Sequence, residues 1–146
     1  MTQFVLKTAV AFIIFNRPET TQQVFREIAK AKPPILLIIG DAPRVDHAGE
    51  EEKVQRCREI VSNVDWPCKV YTNFSESNLG CRDRVSSGLD WVFNIVEEAI
   101  VLEDDCLPDQ YFFQFCQKLL LKYRNDERIL MISGTNLAYE IKSEEE

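Results

Sequence analysis

The stretch AVAFIIFNRP, residues 9–18, is the clearest indication of the fold in this sequence. Its first seven residues are all apolar, and the polar pair Asn16 and Arg17 and then Pro18 follow directly. A continuous apolar run of this length is typical of a strand that is buried on both faces of a sheet, and proline cannot continue such a strand. Because strands buried on both faces belong mostly to parallel sheets, this stretch predicts an α/β protein.

Outward from this strand, the chain alternates between strand and helix patterns. We predict strands over residues 9–15, 35–39, 68–72, 99–102 and 129–132, and helices over residues 19–30, 50–63, 85–98 and 110–123. Strands that alternate with helices of this length predict βαβ units and a three-layer, mostly parallel, Rossmann-like sheet. We expect one domain over residues 1–137 and a charged tail over residues 138–146.

The charge and cysteine content exclude several classes of protein. The 146 residues carry 17 Lys and Arg against 24 Asp and Glu, a net charge of −7, which is the wrong sign for a nucleic-acid binder. The longest apolar run near the amino terminus has seven residues, so we expect no membrane span. Five cysteines without a CxxC pair predict free, mostly buried thiols and a cytoplasmic location.

The acidic residues are concentrated in one stretch. Residues 85–117 contain seven Asp and Glu but no Lys, Arg or His. Three of these acids, Glu103, Asp104 and Asp105, directly follow a predicted strand, where ligands of parallel sheets bind. Side chains alternate along a strand, so we expect Glu103 and Asp105 to face one side. Carboxylates suit Mg²⁺ or Mn²⁺ together with phosphate oxygens; the alternative is a polar turn before the next helix.

Two further places at predicted strand ends could bind a ligand. Arg82 and Arg84 lie where a glycine-containing loop opens a helix, an arrangement that favours a phosphate or the polar edge of a ring. The alternative for both arginines is ion pairing with nearby acids. Asp41 follows the second strand, where it could bind a ligand or close a turn.

Several common motifs are missing from the sequence. No GxGxxG follows the first strand, and no GxxxxGK[ST] occurs. The sequence contains a single histidine, His47, and no nucleophile elbow with which it could form a catalytic triad. Dinucleotide-binding, P-loop and serine-hydrolase chemistry therefore lack their sequence signatures.

Taken in order, these features resemble the amino-terminal half of GT-A fold glycosyltransferases, which bind a nucleotide-diphospho-sugar. The resemblance rests on the strand end at Asn16 and Arg17, the strand end at Asp41, the arginine loop, and the acids after the fourth strand. The Glu-Asp-Asp form is similar to that of the N-acetylglucosaminyltransferase I family and its bacterial, family 2-like relatives. The similarity covers about residues 8–136.

The resemblance implies a role for each residue at the nucleotide. Asp41 would accept the N–H of a uridine-type base, and Asn16 and Arg17 would line the nucleotide. Either Arg82 or Arg84 would contact the base or a phosphate.

The resemblance also implies roles for the acids after the fourth strand. Glu103 and Asp104 would approach the ribose and the sugar. Asp105 would hold Mn²⁺ or Mg²⁺ against the diphosphate of a UDP-sugar donor.

In the family, the acceptor pocket and any catalytic base come from sequence beyond the metal motif. We therefore expect this chain to be a fragment that needs a further segment to transfer sugar to a sugar or glycan acceptor, with self-association through the uncovered face. No catalytic base is assigned. Two other functions remain open at this point: a metal-dependent phosphotransfer or phosphoesterase domain that uses the same carboxylates, and a non-enzymatic α/β interaction module.

Overall fold

The computed structural model describes residues 4–134, which form an α/β domain. The elements in chain order are β1 (Ala9–Ile14), α1 (Pro18–Ala31), β2 (Ile35–Gly40), α2 (Glu50–Ser62), β3 (Lys69–Phe74), α3 (Gly80–Phe93), β4 (Ala99–Glu103) and α4 (Gln110–Tyr123). This alternation confirms the predicted Rossmann-like, three-layer architecture. The predicted boundary at residue 137 and the tail over residues 138–146 lie outside the described residues.

All four strands pair in parallel, in the order β3-β2-β1-β4. The chain moves from β1 to β2 and then β3, and it returns across the sheet to place β4 on the other side of β1. In register, Phe12 lies between Ile38 of β2 and Leu102 of β4. The strand order reverses between β1 and β4, and open α/β sheets bind ligands at the carboxyl ends of the strands at such a point.

The helices cover the two faces of the sheet unequally. Alternate residues of β1, including Val10 and Phe12, face a large core to which α1, α2 and α4 contribute, with Phe113 of α4 fully buried. The intervening residues, including Ala11, face a smaller core formed with Val92 of α3. Both faces of β1 are therefore buried, which explains its uninterrupted apolar sequence.

Two elements extend beyond their predicted limits. Helix α3 starts at Gly80 and ends at Phe93, whereas the sequence pattern predicted a helix over residues 85–98. The helix starts early because the carboxylate of Asp41, which directly follows β2, accepts hydrogen bonds from the N–H groups of Leu79 and Gly80. Strand β3 runs on to Phe74, which pairs with Gly40 of β2.

The fifth strand, predicted over residues 129–132, is wrong. These residues form no strand, and Leu130 and Met131 are almost fully exposed. A Cβ at Gly134 would collide with the ring of Phe112, so this segment ends against α4. An apolar run becomes a strand only when a neighbouring strand accepts its backbone hydrogen bonds, and nothing within residues 4–134 pairs with the outer edge of β4. The expected self-association of the chain through an uncovered face stays a prediction.

The cysteines are free, but they are less buried than predicted. Cys57 is buried, Cys68 and Cys116 are partly buried, and Cys81 and Cys106 are exposed. Cys57 belongs to the buried core, while Cys68 and Cys116 pack against that core with partly exposed side chains, because an apolar pattern does not by itself determine how much of each side chain is covered. In the described part of the chain, every helix is too short or too polar to cross a membrane.

Candidate functional site

A pocket of about 290 Å³ lies at the carboxyl ends of β1, β2 and β4, at the point where the strand order reverses. It is lined by Ile13, Ile14, Phe15, Asn16, Arg17, Asp41, Arg44, Asn78, Gly80, Cys81, Arg84, Val85, Glu103 and Asp104. A larger groove of about 810 Å³ runs between α1 and α2, away from the strand ends. We consider the smaller pocket to be the candidate site because its position is the one at which parallel sheets bind ligands.

The wall of the pocket formed by β2 and α3 is organised by Asp41. Its buried carboxylate accepts hydrogen bonds from Ser75 Oγ at 2.6 Å and from the backbone N–H groups of Ala42 at 2.9 Å, Leu79 at 3.0 Å and Gly80 at 3.0 Å. Gly80 begins α3 at a φ of 76°, which glycine adopts at little cost. Asp41 therefore fixes the loop that lines the pocket, and its predicted contact with a base N–H stays a prediction.

The two arginines of the loop have different positions. Arg84 lines the pocket and is only 5% exposed, whereas Arg82 is exposed and lies outside the pocket lining. Arg84 Nη2 donates to the carbonyl and to the side-chain oxygen of Asn73, both at 2.7 Å. The guanidinium makes no ion pair within residues 4–134, and burial lowers the pKa of Arg84. Arg84 thus offers a desolvated positive charge to the pocket, held in place by neutral oxygens.

Asn16 is held by a residue that the sequence analysis missed. Asn16 Nδ2 donates to Glu50 Oε1 at 2.8 Å, and the backbone N–H of Arg44 donates to Glu50 Oε2 at 2.7 Å. The Arg44 guanidinium also binds this carboxylate, and these hydrogen bonds lower the pKa of Glu50 to about 2 although burial acts in the opposite direction. Glu50 is the first of three consecutive glutamates, and nothing in that run distinguishes it from its neighbours.

The three acids at the end of β4 and directly after it alternate in exposure. Asp104 is buried and accepts a hydrogen bond from the backbone N–H of Phe15 at 3.1 Å, while Glu103 and Asp105 are exposed. Burial raises the pKa of Asp104, partly offset by the Phe15 N–H and by Arg17. Asp104 therefore ties the end of β4 to the end of β1, while Glu103 and Asp105 face solvent. Strand β4 ends at Glu103, so the expectation that Glu103 and Asp105 face one side stays a prediction.

Arg17 connects the acids to the pocket. Its Nη1 donates a hydrogen bond to Asp105 Oδ2 and lies 3.5 Å from Asp104 Oδ1. The hydrogen bond to Asp105 and the charge of Asp104 raise the pKa of Arg17. The Arg17 side chain is 56% exposed, so this ion pair lies at the rim of the pocket.

The outer carboxylates match the chemistry of a divalent cation that is shared with a phosphate group. Within residues 4–134, no three His, Cys, Asp or Glu side chains converge as they would in a cage made by the protein alone. Mg²⁺ and Mn²⁺ commonly take only one or two carboxylates from the protein and complete their shell with phosphate oxygens and water. Glu103 and Asp105 fit that donor set.

No protein-family model matches this chain, and a search of curated proteins finds no relative of it. The geometry of the pocket and the order of the motifs in the sequence are therefore the observations that bear on function.

Proposed function

We propose that this chain is the nucleotide-sugar-binding domain of a metal-dependent glycosyltransferase that uses a UDP-type donor. The observation that carries the proposal is the composition of the pocket at the switch point. Asn16 and Arg17 from the end of β1 meet Arg84 from α3 and the acids that follow β4. Six of the eight residues that the resemblance implies for the nucleotide and its metal line this one pocket, and Asp105 is joined to it through Arg17.

The pocket chemistry supports a nucleoside diphosphate. Its volume of about 290 Å³ is close to the lower end of the range for small-ligand sites, roughly 300–1,000 Å³, as expected for an open site that holds part of its ligand. Asn16 and Asn78 supply amide groups that can pair with the polar edges of a base or ribose. Arg84 and Arg17 supply positive charge for a diphosphate. We assign the arginine contact to Arg84 rather than Arg82 because only Arg84 lines the pocket.

The acids at the end of β4 and Asp41 are assigned to the metal and to the framework of the pocket. Asp105, with Glu103 beside it, would hold Mn²⁺ or Mg²⁺, which when bound acts as a Lewis acid and neutralises charge on the leaving diphosphate. Asp104 keeps its hydrogen bond to the Phe15 N–H and so fixes the end of β4 against the end of β1. Asp41 positions the loop with Arg84 through its contacts to Leu79 and Gly80.

Thermal unfolding in the presence of ligands tests this proposal. We expect UDP together with Mn²⁺ to raise the melting temperature by about 5–10 °C at a concentration one hundredfold above the Kd, and each alone to raise it much less. Asp105→Asn should remove the dependence on Mn²⁺, while Asp90→Asn, an exposed acid on α3, should not. Stabilisation by a phosphoester with metal but not by UDP would favour a phosphoesterase instead. No shift with any ligand would favour an interaction module.

Two further parts of the proposal have their own tests. Incubation with a panel of UDP-sugars, Mn²⁺ and simple sugar acceptors, followed by detection of a glycosidic product, tests transfer. We infer a reducing, cytoplasmic setting from five free cysteines. Mass spectrometry of protein taken from the cytoplasm without reductant should find five free thiols, and a native disulfide would contradict that setting.

A further inference from the structure

Three arginines line the candidate pocket, and they are held in different ways. Arg84 is buried and donates to Asn73. Arg44 is bound through its side chain and its backbone N–H to Glu50, a residue outside the acidic motif. Arg17 alone of the three is held by the acids after β4, Asp104 and Asp105, and Asp105 is also the carboxylate that the proposed function assigns to the divalent cation. A cation and the Arg17 guanidinium would therefore compete for the Asp105 carboxylate.

We propose that Arg17 is an exchangeable counter-ion that couples metal binding to nucleotide binding. In the ligand-free protein its guanidinium neutralises Asp105 and Asp104. A divalent cation held by Asp105 would free the guanidinium from that carboxylate, and the guanidinium would then bind the anionic phosphates of the ligand at the rim of the pocket. The second half of this exchange rests on the proposed function, because it requires a phosphate-bearing ligand in the pocket.

The structure separates the fixed and the movable parts of this device. The backbone of Arg17 is anchored, because its carbonyl oxygen accepts hydrogen bonds from the Thr21 N–H at 3.0 Å and from Thr20 Oγ1 at 3.3 Å, and Pro18 follows it. The side chain is 56% exposed, and within residues 4–134 its guanidinium has ion-pair partners only among the acids after β4. A long side chain on an anchored backbone can change partners without any movement of the fold.

This exchange makes binding of the two ligands reciprocal. If the cation frees Arg17 for the phosphate, then by linkage the phosphate must strengthen binding of the cation by the same factor. Conversely, each ligand alone binds against a penalty: the cation has to displace Arg17, and the phosphate meets an arginine that is already paired. Removing the Arg17 guanidinium should therefore improve binding of the cation, and removing the Asp105 carboxylate should improve binding of the phosphate.

The first test measures Mn²⁺ alone, from the electron paramagnetic resonance signal of the free ion in a titration. Arg17→Gln should bind Mn²⁺ about two- to fivefold more tightly than the wild type, the size of effect expected for the loss of an exposed ion pair. Arg26→Gln is the matched control, because it makes the same change in net charge at an exposed arginine of α1. Equal Mn²⁺ affinities for the two variants would overturn the proposal.

The second test measures UDP with all divalent cations removed by chelation, by calorimetry. Asp105→Asn should bind UDP more tightly than the wild type by about two- to fivefold, because Arg17 loses its ion pair with Asp105 and keeps only the 3.5 Å contact with Asp104. The double variant Arg17→Gln/Asp105→Asn should lose this gain, and Asp90→Asn should show none. A gain that persists in the double variant, or no gain in Asp105→Asn while the wild type binds UDP, would overturn the proposal.

The two tests separate this inference from the proposed function. If no variant binds UDP with or without Mn²⁺, the proposed function is wrong, and the Mn²⁺ titration alone decides whether Arg17 competes with a cation. If UDP binds but Arg17→Gln gains no Mn²⁺ affinity, the proposed function stands and the exchange is wrong. Circular dichroism spectra that match the wild type show that each variant is folded.

Discussion

The two sides of the pocket are built in opposite ways. On the β2 and α3 side, Asp41 and Arg84 are each 5% exposed, and the Asp41 carboxylate accepts hydrogen bonds from four protein donors. On the β4 side, the Asp105 side chain is 47% exposed and its ion-pair partner Arg17 is 56% exposed. The first side is rigid before any ligand arrives, while the second keeps its charges in water. Changes on the first side should therefore affect stability, and changes on the second should affect binding.

The largest effect is expected for Asp41→Ala. The substitution leaves the backbone N–H groups of Leu79 and Gly80 without their acceptor, so we expect a loss of about 3 kcal/mol in the free energy of unfolding. Urea denaturation measures it. Asp46→Ala, in the exposed loop before α2, is the control and should change stability by no more than about 0.5 kcal/mol. Equal stability of the two variants would mean that the β2 side is no more rigid than the β4 side.

Gly88→Ala tests the same rigid side without removing a polar group. A Cβ at Gly88 would lie 2.6 Å from Cγ2 of Ile39, closer than packed atoms approach, so α3 would have to move away from β2. We expect a net loss of about 1–2 kcal/mol in the free energy of unfolding, because strain outweighs the gain in helix propensity. Ser86→Ala, at an exposed position of α3, should be neutral. A stabilised Gly88→Ala variant would show that α3 can shift freely.

Asp105→Ala should show the opposite behaviour. Within residues 4–134 its carboxylate has one ion-pair partner, the exposed Arg17, so the free energy of unfolding should change by no more than about 0.5 kcal/mol. Binding of UDP in the presence of Mn²⁺ should weaken at least tenfold, about 1.4 kcal/mol, because the cation loses a carboxylate. Isothermal titration calorimetry measures this loss. Unchanged Mn²⁺-dependent binding would remove Asp105 from the metal site.

The smallest effect is expected from the acid dependence of Glu50. Its pKa of about 2 in the folded protein lies below the ordinary value of 4.5, so the stability from its ionised form is present above pH 4.5 and is lost as the pH falls towards 2. The effect is modest because the partner Arg44 is 46% exposed. Urea denaturation from pH 6 to pH 2.5 should show the wild type and Glu50→Gln converging in acid. Curves that stay parallel would contradict this role, and Glu51→Gln is the exposed control.

The sequence predicted the positions of the strand ends, but it did not show which of the neighbouring residues line the pocket. Five residues at predicted strand ends line one pocket, as expected for the carboxyl ends of parallel strands: Asn16, Arg17, Asp41, Glu103 and Asp104. The choice between the two arginines of the loop required the start of α3, which depends on a carboxylate about forty residues away in the chain. Glu50 could not be chosen from three consecutive glutamates, because only the packed structure shows which of them turns towards the sheet.

Sequence patterns alone were enough to predict the alternation of apolar strands and amphipathic helices, and with it a parallel sheet whose carboxyl ends carry the polar residues. These patterns are local, since a few consecutive residues fix the periodicity of a strand or a helix. Which side chains are paired, buried or free became visible only in the folded protein. Asp41 is bound to the start of α3, Arg84 is buried with no carboxylate partner from residues 4–134, and Arg17 is paired with the acids after β4. The partner of each group comes from another strand or helix, so its hydration and charge balance depend on how distant segments pack.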